Sequence, residues 1–587
     1  MAAPSAAEGA GEPEAAPLLA QLNEQQRAAA GRLVGPLRIL AGAGTGKTRT
    51  ITHRIAYGIR QGVYDPKRVL ALTFTSRAAG EMRSRLAALG VPAVPARTFH
   101  AAALSQLGHF WPHTVGGTAP AVLPGKARLL AEAAESLGLA LSPAALRETA
   151  GEIEWRKTGG LGIERYAEAL AAGRPLSAEL SAERAVALHE RYETLKDERR
   201  AMDFEDVLLA TSGMLQREPW VAQRVREQYR FFVVDEYQDV SPLQHELLRL
   251  WLGERRDLCV VGDPAQTIYS FTGASGRFLL DFEREFPGAR TVRLERNYRS
   301  RRPVIELANR VAEGIAGSLR LEAAAEAGRP PRPELVEHPD DEAEARAVAA
   351  AIAADLRTGA DPGGQAVLFR TNAQAARLER ALQEAGVPYR SLGAGRFFEQ
   401  PDVRLAVSAL RGEALGGGDG APLFQSVGRV LRGLGWTQRQ PERPGAELER
   451  WRALEAIARL ADEQPRGTTL AAFAAELQRR ARYQIEPELR LVALASLHSA
   501  KGLEWESVSL VGCSDDLVPF ALARGPEEIE EERRLLYVGV TRARSRLRLS
   551  WAGLDGRGGR RAPSRFLTGL GPRVLRTLRA GQAGQAG

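Results

Sequence analysis

Between Leu37 and Thr50 the chain reads LRILAGAGTGKTRT. Gly42, Gly44 and Gly46 let the backbone turn tightly with its N–H groups aimed inward, Lys47 supplies a compact positive charge, and the Thr48 hydroxyl suits a magnesium ion. Together they describe a cradle for the phosphates of a nucleoside triphosphate, wrapped by Ala41, Gly42, Ala43, Gly44, Thr45, Gly46, Lys47, Thr48 and Arg49. The strict pattern begins with Gly where this chain has Ala41, a residue small enough for the same turn. A Gly-rich turn that binds nothing is the alternative, and the strand-like Leu37 to Leu40 ahead of it argues against that. Lysine usage gives a second argument. The chain has 80 basic residues, of which lysine occurs only at 47, 67, 126, 157, 196 and 501. A wide, planar guanidinium does not fit between two phosphates, so a lysine kept here points to a chemical requirement.

A phosphate loop predicts a carboxylate partner, and Phe231 to Val240, FFVVDEYQDV, supplies two. Asp235 can hold Mg²⁺ through its water shell and Glu236 can accept a proton from an attacking water. An acidic turn without chemistry is the bland alternative. Leu258 to Gly262 then leads into DPAQTIYSF, where Gln266 could sense a γ-phosphate. Tyr269 and Phe271, at alternate positions, could face a groove and stack on nucleic-acid bases. Core packing is the competing reading for one of the two, Tyr269 in particular. Phe74-Thr75 and Thr98-Phe99-His100 each follow a short extended stretch, where open α/β sheets place ligands; helix capping by the threonines explains them equally well. Gln26, in the Leu22-Asn23-Glu24-Gln25-Gln26 segment, could read an adenine edge or be a surface helix residue.

These residues need elements to hold them. The apolar runs Leu37 to Leu40, Val69 to Thr75, Phe231 to Val234 and Leu258 to Gly262 read as buried parallel strands, each ending on one of the polar clusters. Residues 101 to 200 are Ala/Leu/Glu/Arg-rich with helical periodicity and read as a helical insertion; His109, His113 and His189 within it lack any metal-ligand spacing. The 587 residues are 44% hydrophobic, enough for several cores. Net charge is +8, which favours a polyanionic partner without establishing one. Cys259 and Cys513, the only cysteines, suit a reducing compartment and exclude a multi-cysteine metal site. No apolar run is long enough for a bilayer and no signal peptide is evident, so a soluble, cytoplasmic protein without membrane partners is expected.

The loop, FTSRAAGEM, TFH, MDFED at Met202 to Asp206, VVDEYQD and VVGDPAQTIYSFTGA stand in the order and form found in UvrD/Rep/PcrA-like superfamily 1 DNA helicases, which this chain resembles. LERNYRS at Leu294 to Ser300, the stretch Val367 to Phe398, LHSAKGLEWESV at Leu497 to Val508 and EERRLLYVGVTRA at Glu531 to Ala543 extend the likeness. The tail with GRGGRRAPSRFL is similar to an actinobacterial UvrD-like subgroup. The resemblance implies an α/β fold of two RecA-like P-loop motor domains, parallel sheets flanked by helices, with helical insertion subdomains. The Ala/Gly/Pro/Glu-rich composition of 1–20 predicts a disordered segment, and the family's layout implies motor 1A at 21–97 and 201–287, insertion 1B at 98–200, motor 2A at 288–402 and 488–571, and insertion 2B at 403–487, with 572–587 expected to be a flexible tail. ATP and Mg²⁺ are the implied cofactors, bound between the motors. Tyr298 would stack on adenine, Arg299 and Arg542 would reach the γ-phosphate, and His498, Lys501 and Glu504 would link nucleotide to DNA. The chemistry agrees, since an arginine finger stabilises a transferring phosphoryl group.

The implied activity is ATP-driven 3′ to 5′ movement on single-stranded DNA and unwinding at single-strand/duplex junctions, in repair or replication-associated processing with repair proteins as partners. A translocase that displaces proteins and unwinds only with a partner, and a nucleotide-gated single-strand binder, are the alternatives. Three departures bear on them. Insertion 2B is shortened to about 85 residues, with Gly-rich GEALGGGDGAP and Pro-rich QPERPG stretches. Thr272 stands where relatives carry Arg. No nuclease or HRDC-like module is expected after the second motor.

Overall fold

The computed structural model describes residues 17–580 apart from 325–330, 393–396, 417–420, 440, 442–445, 484–489 and 557. The expected disorder of 1–16, the Gly-rich core of 417–420, most of the Pro-rich stretch at 440–445 and the tail beyond 580 lie outside the described residues. Two compact units emerge, one of Met1–Arg296 with Ile315–Arg320 and one of Asn297–Gly314 with Leu321–Gly587.

In the first unit six parallel strands form one sheet: β1 Leu37–Ala41, β2 Val69–Thr73, β3 Ala96–Thr98, β4 Phe231–Val234, β5 Leu258–Gly262 and β6 Arg290–Leu294, in the order β3-β2-β4-β5-β1-β6. Successive side chains along a strand point to opposite faces, and here both faces are covered. Leu70, Leu72, Phe232 and Val234 join one core, whereas Val69, Ala71, Phe231 and Val233 join the other. This is why the four strands read as unbroken apolar runs. Strand β6 pairs with β1 in parallel register, Leu37 opposite Arg290, so the first sheet runs past the boundary expected at 287. Its sequence, RTVRL, is half polar because it lies at the sheet edge. Between β3 and β4 the helices Ala127–Ser136, Pro143–Thr158, Ile163–Ala171 and Ala182–Glu198 gather a separate core around Leu130, Ile153, Tyr166, Leu188 and Tyr192.

The second unit contains a seven-stranded parallel sheet: β7 Glu334–Asp340, β8 Gln365–Phe369, β9 Tyr389–Leu392, β10 Val492–Ser496, β11 Trp505–Leu510, β12 Ala543–Leu554 and β13 Arg576–Arg579. Their order is β9-β10-β8-β11-β12-β7-β13. Between β9 and β10, the helices Pro401–Leu415, Leu423–Gly433, Ala446–Asp462 and Leu470–Tyr483 enclose their own core, including Val403, Leu410, Leu431, Ile457 and Phe473.

Two expectations about the chain ends are corrected. Residues 17–20, expected to be disordered, are helical, and Leu18 is buried against the core beneath β1 because it supplies an apolar anchor next to Ala29 and Ile55. Residues 576–579, expected to be a flexible tail, form β13, whose backbone pairs with Glu334–Glu337 and whose Leu578 is buried. Among the described residues no helix is long and apolar enough to cross a membrane.

Candidate nucleotide and nucleic-acid site

All six strands of the first sheet point the same way, so the C-terminal ends of the neighbours β4, β5 and β1 open on one edge. That edge carries the phosphate loop after β1, Asp235-Glu236 after β4 and Asp263 after β5. Open α/β sheets bind ligands along such an edge.

The loop is built from its own backbone. Gly42 N–H donates to Leu294 O at 3.2 Å, and the Thr45 hydroxyl donates to Gly42 O at 2.8 Å. Gly44 and Gly46 have φ of 70° and 82°, the left-handed region glycine occupies without strain. A Cβ on Gly46 would also lie 2.7 Å from the Gln26 amide nitrogen. The helix Lys47–Arg60 starts on Gly46 with no side-chain cap, leaving its first N–H groups for an anion. Ala41 and Ala43 are buried, and Arg49 turns outward to Gln21 O at 2.9 Å.

Lys47 Nζ lies 3.6 Å from Glu236 Oε1. Glu236 is a non-glycine residue at φ 52°, a conformation costing roughly 1 kcal/mol that the surrounding bonds enforce. Gln238 donates its amide to Glu236 Oε2 at 2.5 Å, and its carbonyl oxygen accepts from Asp263 N–H at 3.1 Å. Asp263 in turn accepts from the Gln266 amide at 2.7 Å. Gln266 thus connects to this sheet edge through buried polar groups, and burial raises the Asp263 pKa. The fit to Mg²⁺ rests on Thr48 and Asp235: the hydroxyl donates to Asp235 Oδ2 at 3.3 Å, placing two hard oxygen ligands side by side. Burial, reinforced by the adjacent Glu236 charge, pushes the Asp235 carboxyl up to about 7, so the pocket is short of positive charge. A divalent cation there would supply it.

Gln26 is buried, with its amide donating to Thr45 O at 2.9 Å and its carbonyl oxygen accepting from Asn23 N–H at 3.2 Å. It braces the loop in this state, and reading an adenine edge requires it to leave these bonds. Thr75 and Thr98 cap helices, their hydroxyls accepting from Ala78 and Ala101 N–H at 3.1 Å each.

The aromatic residues form a line in the same unit. Phe74 stacks on Tyr269 at 5.3 Å between ring centroids, and Tyr269 meets Phe271 at 6.1 Å; Phe74 and Phe271 are 39% and 61% exposed. Tyr269 is half-buried between them and is not a core residue. His100 stacks on Phe204 at 4.1 Å, and burial lowers its pKa to about 4, so the ring is neutral at neutral pH. Phe204, 52% exposed, is a residue the sequence reading passed over. The available signal was an aromatic set between acids in MDFED, where a buried start to a helix would be apolar without charge.

In the second unit, Arg299 and Arg544 both form ion pairs with Glu504. Burial opposes ionisation of Glu504, but the two arginines hold its pKa below the usual range. Arg542 is 1% exposed; its guanidinium donates to Val538 O at 2.9 Å, Leu503 O at 3.1 Å and the Thr541 hydroxyl at 3.1 Å. Tyr298 is 51% exposed. Burial and then the Arg370 charge lower His498 to about 4.

Residues 22–287 match the UvrD/REP helicase N-terminal domain, and residues 292–413 and 429–553 match the UvrD-like helicase C-terminal domain. The chain is 49% identical over 583 residues to the ATP-dependent DNA helicase UvrD2 of Mycobacterium tuberculosis, covering 95% of this chain and 83% of that protein. It is 30% identical over 662 residues to DNA helicase II of Escherichia coli, covering 96% and 89%. Against the ATP-dependent DNA helicase PcrA of Leuconostoc citreum the identity is 29% over 659 residues, covering 95% and 86%.

Proposed function

We propose, from the premise that this chain belongs to the UvrD/REP helicase family, that it is an ATP-dependent DNA helicase moving 3′ to 5′ along single-stranded DNA. The observation that carries the reading is the convergence of Lys47, Thr48, Asp235, Glu236 and Gln266 at one sheet edge, in the unit that also bears the aromatic line. Lys47 and the N–H groups of the loop hold the phosphates of ATP. Thr48 and Asp235 hold Mg²⁺, which when bound neutralises phosphate charge. Glu236 takes the proton of the attacking water, oriented by the bond from Gln238. Gln266 relays γ-phosphate occupancy toward Tyr269 and Phe271. Arg299 and Arg542 stabilise the transferring phosphoryl group, for which Arg542 must leave its present carbonyl partners. Tyr298 stacks on the adenine, and Glu504 and His498 link nucleotide and DNA responses. The single strand lies over Phe74, Thr75, His100, Phe204, Tyr269 and Phe271, its bases stacking without sequence preference. Cytoplasmic DNA repair or replication-associated processing, at single-strand/duplex junctions and alongside repair proteins, is the proposed setting.

The short second insertion favours a second reading, a translocase that strips proteins from DNA and separates strands only with a partner. Steady-state ATP hydrolysis with and without single-stranded DNA, followed by unwinding of duplexes with a 3′ or a 5′ tail, tests both. Stimulation with unwinding from the 3′ tail supports the helicase. Stimulation without unwinding supports the translocase, and absence of stimulation leaves a nucleotide-gated binder.

A further inference from the structure

The helix Pro143–Thr158 ends in the first insertion with two consecutive residues that reach two different aromatic segments. Lys157 Nζ donates to Asp203 Oδ2 at 2.7 Å and to Asp206 Oδ1 at 2.6 Å. Those carboxylates form the capping box of the helix Phe204–Arg217, so Lys157 grips the turn that presents Phe204. Lys196 bonds to the same two acids, and Lys126 pairs with Glu205 at 2.7 Å. Half of the chain's six lysines therefore converge on Asp203-Phe204-Glu205-Asp206.

Thr158 faces the other segment. Its hydroxyl has one proton and three carbonyls in reach, Thr272 O at 2.7 Å, Glu154 O at 2.8 Å and Trp155 O at 3.2 Å, the nearest lying outside its own helix. A Cβ on Gly273 would lie 2.6 Å from the Thr158 hydroxyl, so the turn is seated directly on this side chain. That turn is tight: Thr272 and Ala274 N–H both donate to Tyr269 O, at 3.1 and 3.2 Å, with Phe271 at its exposed tip. Neighbouring positions on a helix project about 100° apart, which lets Lys157 and Thr158 serve two partners at once.

We propose that Lys157 and Thr158 form a strut that sets the spacing between Phe204 and Phe271, making the first helical insertion part of the single-strand binding register. They are positioning residues, and the inference rests on the reading of this line as the DNA path. The strut acts through the backbone carbonyl of Thr272.

The test uses the full chain, a fluorescently labelled oligo(dT) strand and unlabelled strand as ATPase activator. Thr158→Val removes the hydroxyl and keeps the shape; Thr158→Ala is a second deletion of the same group; Thr158→Ser restores the donor. Loss of one such hydrogen bond should weaken oligo(dT) binding, and raise the DNA concentration for half-maximal ATP turnover, by about three- to tenfold. Turnover at saturating DNA should stay within about twofold of the parent, Thr158→Ser should behave as the parent, and Thr158→Val should add nothing to Phe271→Ala. Parental affinity in both deletion variants, or an undiminished effect in the Phe271→Ala background, would overturn the strut. If the unmodified chain neither binds oligo(dT) nor responds to it, the DNA path itself is wrong and the strut falls with it.

Discussion

Glu236 illustrates how side chains divide the work at the sheet edge. One carboxylate oxygen faces Lys47 and the other is held by Gln238, whereas the neighbouring Asp235 faces Thr48. Lys47→Ala and Glu236→Gln should each lower DNA-stimulated ATP turnover by about 10²-fold or more while leaving Tm within about 2 °C, because in the proposed mechanism each removes a group acting on the transferring phosphoryl or its water. Calorimetry with a non-hydrolysable ATP analogue should separate them: Glu236→Gln keeps nucleotide affinity and Lys47→Ala loses it. Undiminished turnover in either variant would place the chemistry elsewhere. The sequence singled out these groups because phosphate chemistry restricts residue types and spacing, and the structure brings them to one sheet edge. It did not reveal that Gln26 is engaged by Thr45, since a bond across nineteen residues leaves no local pattern. Nor did it reveal Arg542 folded against carbonyls, because one arginine among many carries no sign of where its guanidinium lies.

At the scale of elements, legibility followed burial. Strands β4 and β5 are buried along their lengths and were evident as apolar runs. Edge strands β6 and β13, with RTVRL and RTLR, were not, because one side of each meets solvent and their pairing is set by partners far along the chain. The first insertion was recognisable by helical period, but its most unusual interior residue was not. His189 is fully buried, stacks on Tyr166 at 4.3 Å, and has no hydrogen-bond partner on either ring nitrogen among the described residues. Burial, aided by the Arg156 charge, lowers its pKa to about 3. A histidine with a folded pKa below its unfolded value of about 6.5 binds protons more readily when unfolded. Its neutral form is therefore compatible with the core at pH 7, and stability declines as pH falls through 6.5 toward 3. Urea unfolding at pH 7 and pH 5 should show this loss, and His189→Phe should reduce it while raising stability at pH 7 by about 1 kcal/mol through removal of unsatisfied polar atoms. An unchanged pH dependence in His189→Phe would assign the loss to other groups.

For the whole molecule, the second insertion is a self-contained addition to a continuous sheet. Strands β9 and β10 pair directly, Tyr389 opposite Val492, although 99 residues of chain lie between Leu392 and Val492. Replacing residues 397–489 by a Gly/Ser crossover of about a dozen residues should leave the sheet able to close. DNA-stimulated ATP hydrolysis should then remain within about threefold, and separation of a 3′-tailed duplex should be lost. Retained unwinding would show that the insertion is dispensable for strand separation. The scarcity of lysine has a practical side as well. Lys157 and Lys196 have side chains only 2% and 3% exposed, Lys47 and Lys126 are 12% and 15% exposed, Lys501 is half-buried, and Lys67 is exposed. Amine-directed acylating dyes should therefore label the folded chain at very few of its lysines, chiefly Lys67, turning an ordinarily indiscriminate reagent into a nearly site-selective one.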